Sequence, residues 1–197
     1  MRKKTKLIFA TLVVGLLLTS CGAKKEEDKG KTTEATTDEA EPKVDEPAEY
    51  SNTDGRFSIK FKVSPKETTQ DVPTAIGDVK MYMFMHEESQ TKAYMVAYCD
   101  YPESLIKDQD ANALLNGSKE GVVGKFNATI TDEKSSKFQG NECIDFTASG
   151  PEYHTAYKLV LAGNRLYQVG ILQTGSAVAA DDMDMFIGSF KITEEAK

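Results

Sequence analysis

The stretch YHTAYKLVLAGNRLYQV, residues 153–169, decides the fold class. It places Gly163 and Asn164 between two runs in which apolar residues recur at alternate positions. A Gly-Asn pair in that position is typical of a two-residue β-hairpin turn. The pattern therefore predicts two antiparallel strands, over residues 154–161 and 165–172.

More strands are predicted on the N-terminal side of this hairpin. Apolar and polar residues alternate in FSIKFKV, residues 57–63, as in a half-buried strand. The strands over residues 79–86 and 93–99 are apolar on both faces and are therefore predicted to be central. The predicted strands cover residues 57–63, 79–86, 93–99, 128–132 and 138–148. Residues 66–78, KETTQDVPTAIGD, lack such a pattern, so a loop is predicted there.

Two helices are predicted by apolar residues at helical spacing. The first uses positions 111, 114, 115, 118 and 122, with Ser118 counted as a small residue, and Gly117, Gly121 and Gly124 are expected to weaken it. The second uses positions 179, 183, 186, 187 and 190. Asp181, Asp182 and Asp184 are expected on the solvated side of the second helix, and residues 190–192 are expected to add a short edge strand. Strand runs separated by one helix and ended by another predict an α+β fold, a mostly antiparallel β-sheet flanked by helices.

Three of these segments resemble the PsbP-like domain. They are FSIKFKVSP, YMVAYCDYP and the hairpin sequence quoted above, and the resemblance covers residues ~55–193. It implies an antiparallel sheet with helices on both faces and a role as an accessory or assembly subunit. The resemblance brings no catalytic residue and no cofactor site.

The N-terminus has the architecture of a secretory signal. Residues 1–20 contain four cations, a 12-residue apolar run and small residues before Cys21. The sequence LTSC, residues 18–21, resembles the lipobox of bacterial lipoproteins. The resemblance implies cleavage before Cys21, diacylglycerol on its sulfur, and membrane lipid as the partner of this anchor. We expect the protein to be held at the outer face of the bacterial cell membrane.

Charge and composition divide the rest of the chain. Residues 21–49 are acidic and nearly devoid of large aliphatic side chains, which predicts a disordered tether. Residues 50–197 are long enough for a single domain with one hydrophobic core.

The net charge of −7 argues against a nucleic-acid partner, because binding to phosphates requires a basic surface. No apolar run reaches the length of a membrane-spanning helix.

Cys99 and Cys143 both lie in predicted strands. Export permits a disulfide between them, and lipidation of Cys21 would leave no other partner for either. Two buried free thiols are the favoured alternative, because a domain of this size does not need a covalent staple.

Catalytic and metal-binding patterns are not found. His86 and His154 lack the spacing of a zinc site, and no serine lies in a GxSxG sequence. Both histidines are expected to be solvated turn residues. We therefore expect no enzymatic activity, no metal and no cofactor.

The densest unusual feature is a run of methionine and aromatic residues. Methionine is adaptable and frequent at apolar binding surfaces, so this run is a candidate apolar binding face. Ordinary core packing between two covered faces is the favoured alternative. The candidate residues are Met81, Met83, Met85, Tyr94 and Tyr98.

Two functional hypotheses follow. The first, which is the leading one, is a non-enzymatic lipoprotein whose domain binds a protein partner of the cell envelope. The second is a lipoprotein that binds a small ligand and associates with a membrane transporter. They differ in what they require of the surface: the first needs a contiguous exposed apolar patch, and the second needs a concave pocket of several hundred Å³ with a few convergent polar groups.

Overall fold

A computed structural model describes residues 46–74 and 77–193. The predicted signal, Cys21 and most of the predicted tether lie outside these residues. The strands are β1 (Ala48–Asn52), β2 (Phe57–Phe61), β3 (Lys66–Thr74), β4 (Gly77–Ser89), β5 (Lys92–Asp100), β6 (Thr129–Phe138), β7 (Asn141–Ser149), β8 (Tyr153–Ala162), β9 (Arg165–Thr174) and β10 (Lys191–Ile192). The helices are α1 (Glu103–Ile106), α2 (Ala111–Phe126) and α3 (Ala180–Phe186), the last followed by a 3₁₀ turn, Ile187–Ser189.

Seven strands form one sheet in the order β3-β4-β5-β9-β8-β7-β6. Every pair of neighbours in this sheet is antiparallel. The hairpin predicted at Gly163 and Asn164 is confirmed, since Leu161 pairs with Leu166 across the turn and Gly163 has a φ of 61°. With α2 and α3 packed against it, the sheet gives the α+β fold predicted from the sequence.

A second sheet has the order β1-β2-β10, again antiparallel. β10 is the short C-terminal edge strand that the sequence predicts. β1 begins at Ala48, so residues 48 and 49, which the sequence assigns to the tether, pair with β2 instead. Their pairing partners in β2 are Phe61 and Lys60.

Side chains that alternate along each strand of the large sheet enter two separate cores. We call the side that packs against α3 and the small sheet the aromatic face, and the side that packs against α2 the helix face. The large-sheet residues buried on the aromatic face include Phe84, Tyr94, Val96, Tyr98, Tyr167, Val169 and Ile171. Those buried on the helix face, with Leu115 and Val122 of α2, include Cys99, Ile144, Phe146, Tyr157, Leu159 and Leu166.

The prediction of a loop over residues 66–78 is wrong. β3 occupies most of it and pairs with β4 along its whole length. β3 is an edge strand with mostly exposed side chains, so its sequence does not need the apolar alternation of a half-buried strand. Its Pro73 is also compatible with an edge, where a missing backbone donor costs little.

A turn was missed at the other edge of the sheet. Residue 138 was predicted to begin a strand, but Phe138 ends β6 and Asn141 begins β7. Gln139 and Gly140 between them both have positive φ, 48° and 84°, which is the conformation of a type I′ hairpin turn. β6 is mostly exposed, so its extent was underestimated for the same reason as that of β3.

The expectation that all three aspartates of α3 face solvent is wrong for Asp182. Its carboxylate accepts hydrogen bonds from Lys92 Nζ at 2.6 Å and from the Tyr94 hydroxyl at 2.8 Å. Burial opposes ionisation of this carboxyl, but the bonds from Lys92 and Tyr94 outweigh it and hold the pKa of Asp182 below its usual value. Asp182 therefore fastens α3 to β5 as a carboxylate, while Asp181 and Asp184 are exposed.

Within the described residues, no helix has the length and apolar character needed to cross a membrane.

Candidate functional site

A groove of about 610 Å³ lies between α2 and the helix face of the large sheet. α2 packs on β7 and β8, in one half of the sheet. The helix-facing side chains of β3, β4 and β5, in the other half, therefore form the floor of a groove, and α2 forms its wall. Helix placement and strand order together create this site.

The floor of the groove is rich in sulfur. Met81 and Met83 of β4 and Met95 and Cys99 of β5 all line it. Met81 pairs with Cys99 across the two strands. Because thioether side chains are flexible and polarisable, such a floor can fit apolar molecules of more than one shape.

The wall is one stripe of α2. Leu114, Ser118, Gly121 and Lys125 line the groove at the spacings of four, three and four residues that put side chains on one side of a helix. Gly117 lies beside them. A Cβ added to Gly117 or Gly121 would meet no neighbouring atom within 4 Å, so these glycines are not required for close helix packing. Their effect is to keep the groove wide.

α2 is held in place at both ends. Asp110 caps its N-terminus by accepting a hydrogen bond from the backbone N–H of Asn112 at 3.1 Å. Asn127 ends it in the left-handed conformation, with a φ of 48°. Lys119, in the middle of the helix, is buried and donates to Glu133 of β6 at 2.7 Å.

A few polar groups lie among the apolar ones that line the groove. They are the side chains of Gln70, Gln109, Ser118, Lys125 and Gln168. The Ser118 hydroxyl oxygen is buried and has no hydrogen-bond partner among the described residues. Lys125 is the single charged side chain among the described lining residues, none of which is a carboxylate.

The Cys99 thiol is an apolar part of the floor at neutral pH. Burial, reinforced by the nearby negative charge of Asp100, raises the pKa of Cys99 to about 11. The thiolate is the reactive form of cysteine, so this environment does not activate Cys99 as a nucleophile.

The structure divides the candidate apolar face between the two sides of the sheet. Met81 and Met83 lie in the groove, and alternation along β4 places Met85 on the same side, beyond the groove lining. Tyr94 and Tyr98 belong to the aromatic face, where they are 1% and 4% exposed. The two tyrosines are core residues and take no part in the groove.

Cys99 and Cys143 are both free and buried. Cys99 lies on the helix face and Cys143 on the aromatic face, so the sheet separates the two thiols. The structure therefore does not contain the possible disulfide. Burial also raises the pKa of Cys143, although the nearby Lys158 opposes this effect.

The two histidines lie in different, non-adjacent strands of the large sheet. His86 is in β4 and His154 is in β8, with β5 and β9 between them. His86 stacks on the Tyr94 ring at 6.3 Å, and His154 Nδ1 lies 3.0 Å from the Ser149 hydroxyl. Both are strand residues rather than the turn residues expected. The described part of the chain contains no cluster of three or more His, Cys, Asp or Glu side chains suited to a metal ion.

Sequence reasoning missed the wall of the groove. The sequence predicts only that Gly117 and Gly121 weaken the helix and that Ser118 is a small residue on its apolar side. Two glycines four residues apart in an otherwise amphipathic helix were the signal available, because they leave one strip of the helix without side chains.

The described residues form an α+β domain with an apolar groove beside its large sheet. No family model matches the chain, and no curated protein matches it. Among solved structures it is similar to the solution structure of cyanobacterial PsbP (CyanoP) from Synechocystis sp. PCC 6803. The identity is 13% and the TM-score is 0.48, over 77% of this chain and 95% of that chain.

Proposed function

We propose that the protein is a non-enzymatic accessory lipoprotein whose domain binds an apolar small molecule in the groove beside α2. The observation that carries this proposal is the groove itself. Its volume of about 610 Å³ is within the range of ligand pockets, roughly 300–1,000 Å³, and its lining combines apolar side chains with a few polar ones, as in such pockets. This is the second of the two hypotheses from the sequence.

The other hypothesis, a domain that binds a protein of the envelope, is less well supported. It calls for a contiguous exposed apolar patch. Among the described large apolar side chains, only Val63 is notably exposed, at 52%. An envelope protein partner and association with a transporter both stay predictions from the sequence.

The proposal of a non-enzymatic role rests on the chemistry of the lining. General acid–base catalysis needs a titratable group beside the reacting atoms, with a pKa near the working pH. Among the described lining residues, the titratable side chains are Cys99, Tyr101, Tyr157 and Lys125. Burial raises the pKa of Tyr101 to about 12 and that of Cys99 to about 11, and it raises that of Tyr157 as well. Cys99, Tyr101 and Tyr157 thus have pKa values above neutral pH, and this supports a role of the groove in binding rather than in acid–base catalysis.

Membrane anchoring is the part of the proposal that depends on the lipobox resemblance. We expect Cys21→Ala to move the protein from the membrane fraction to the extracytoplasmic soluble fraction, because no thioether lipid can then form. Cell fractionation with an antibody to the domain measures this directly. Cys99→Ala serves as the control and should leave the protein membrane-bound. A Cys21→Ala protein that has lost its signal segment, as shown by its mass, and still remains in the membrane fraction would show that the anchor is not at Cys21.

Filling the groove tests the proposed binding function. We expect Gly121→Leu to weaken binding of the neutral apolar fluorophore N-phenyl-1-naphthylamine by about tenfold or more, because the leucine side chain extends into the groove. Fluorescence titration of residues 21–197 carrying Cys21→Ala measures it, so that no attached acyl chain competes for the site.

The matched control is Gly124→Leu. Gly124 is in the same helix and also has free space around it, but it does not line the groove. Both substitutions replace glycine by a better helix former and should raise the free energy of unfolding by up to about 0.8 kcal/mol. A loss of fluorophore binding confined to Gly121→Leu therefore supports the groove. Equal binding by both variants and the parent would rule it out as the binding site.

A further inference from the structure

The charge of the groove lining limits the kind of molecule that fits it. The chain as a whole is acidic, with a net charge of −7, yet no carboxylate is found among the described lining residues. The single charged group there is the Lys125 ammonium. It lies 5.6 Å from the centre of the Phe126 ring and forms no ion pair with any described residue. The groove is thus complementary to a ligand with one negative charge.

The groove is long as well as apolar. Leu114 and Lys125 are 11 residues apart on α2, which corresponds to about 16 Å along the helix axis. Tyr101, from the segment that follows β5, lines the groove too. The opposite end is marked by Phe126, whose ring lies 5.5 Å from that of Tyr153 at the far end of the sheet. Lys125 is therefore at one end of an elongated apolar site.

The position of Lys125 also suits a charged group energetically. Lys125 is exposed, so a negative group beside it can keep part of its hydration and avoids most of the desolvation cost of a buried ion pair. The rest of such a molecule would lie on the methionine floor, where each buried methylene adds to the affinity.

We propose that the groove binds a monomeric amphiphile with one alkyl chain and an anionic head. The alkyl chain lies over Met81, Met83 and Met95, and the head is next to the Lys125 ammonium. This inference rests on the proposed binding function and adds to it the chemical class of the ligand.

Three amphiphiles with the same alkyl chain and different heads test the inference: dodecanoate, 1-dodecanol and dodecyltrimethylammonium, all as monomers. Isothermal titration with residues 21–197 carrying Cys21→Ala should give the order dodecanoate, then dodecanol, then the ammonium compound. Lys125→Gln should weaken dodecanoate binding by about fivefold, the effect of one exposed ion pair, and leave dodecanol unchanged. Lys125→Arg should retain the preference. Lys107→Gln is the control, since Lys107 is exposed but does not line the groove.

The outcomes separate this inference from the proposed function. Equal binding of the three amphiphiles, still weakened by Gly121→Leu, would overturn the preference for an anionic head and leave the binding function intact. Failure of both the fluorophore and the three amphiphiles would overturn both. Binding to vesicles of anionic lipid is measured as well. If dodecanoate binding is unchanged in Gly121→Leu and the protein also binds the vesicles, the site is a membrane-binding surface and not the groove.

Discussion

We expect Gly170→Ala to lower the free energy of unfolding by about 3 kcal/mol, at the upper end of the usual cost of overpacking a core. Gly170 is in β9, between β5 and β8. A Cβ at this position would lie 2.4, 2.6 and 2.8 Å from three carbons of the Tyr157 ring. The ring has little room to retreat, because it is 3% exposed and stacks on Phe146 at a centroid distance of 5.6 Å.

Urea unfolding followed by circular dichroism measures this loss. The control is Gly117→Ala, where the added Cβ meets no neighbour and stability should rise by about 0.8 kcal/mol. In the double variant Gly170→Ala with Tyr157→Leu, the two costs should not add, because the leucine no longer occupies the position of the ring. A Gly170→Ala protein within about 0.5 kcal/mol of the parent would contradict the close packing of Tyr157 on β9.

We expect Arg165→Met to lower the free energy of unfolding by about 2 kcal/mol, because charged hydrogen bonds of a buried guanidinium are lost while their partner Asp100 is 42% exposed. Arg165 is 7% exposed and donates through Nε and Nη2 to the two carboxylate oxygens of Asp100, each at 2.6 Å. Its Nη1 donates to the backbone oxygen of Asp54 at 2.7 Å, and its guanidinium lies 4.4 Å from the centre of the Tyr98 ring. One side chain thus joins β9, β5 and the β1–β2 turn.

The same unfolding measurement applies to this variant. Lys137→Met is the matched control, because it removes an ion pair with Glu142 whose lysine side chain is 63% exposed. An exposed pair of this kind contributes about 0–1 kcal/mol, so the control should stay near the parent. Equal losses from Arg165→Met and Lys137→Met would show that burial of Arg165 does not add to its contribution.

The central part of the sheet could be predicted from the sequence because its residues are selected by two cores. Val96 and Tyr98 are buried on one face and Cys99 on the other. Because both faces of β5 are buried, its sequence is a nearly continuous apolar run. β3 and β6 are not buried on both faces. As edge strands they expose most of their side chains, so their polar sequences carry no comparable signal.

The groove could be predicted only in part. The sequence marks the methionines of β4 as unusual. Strand register, however, places Met81 on the helix face and Tyr94 on the aromatic face. The candidate face predicted from sequence proximity therefore combines residues from opposite sides of the sheet. The wall depends on which half of the sheet α2 covers. That placement is decided by long-range packing of Leu115 and Val122, which the local sequence does not contain.

The glycines of α2 also affect how fast a bound molecule would enter and leave. Gly117, Gly121 and Gly124 each lower the stability of a helix by about 0.8–1 kcal/mol relative to alanine. The floor, by contrast, consists of neighbouring strands that pair along most of their length. Local opening is easiest where intrinsic stability is lowest, so we expect α2 to open more often than the sheet beneath it. If the groove binds the proposed ligand, we expect motion of this helix to change how fast the ligand enters and leaves.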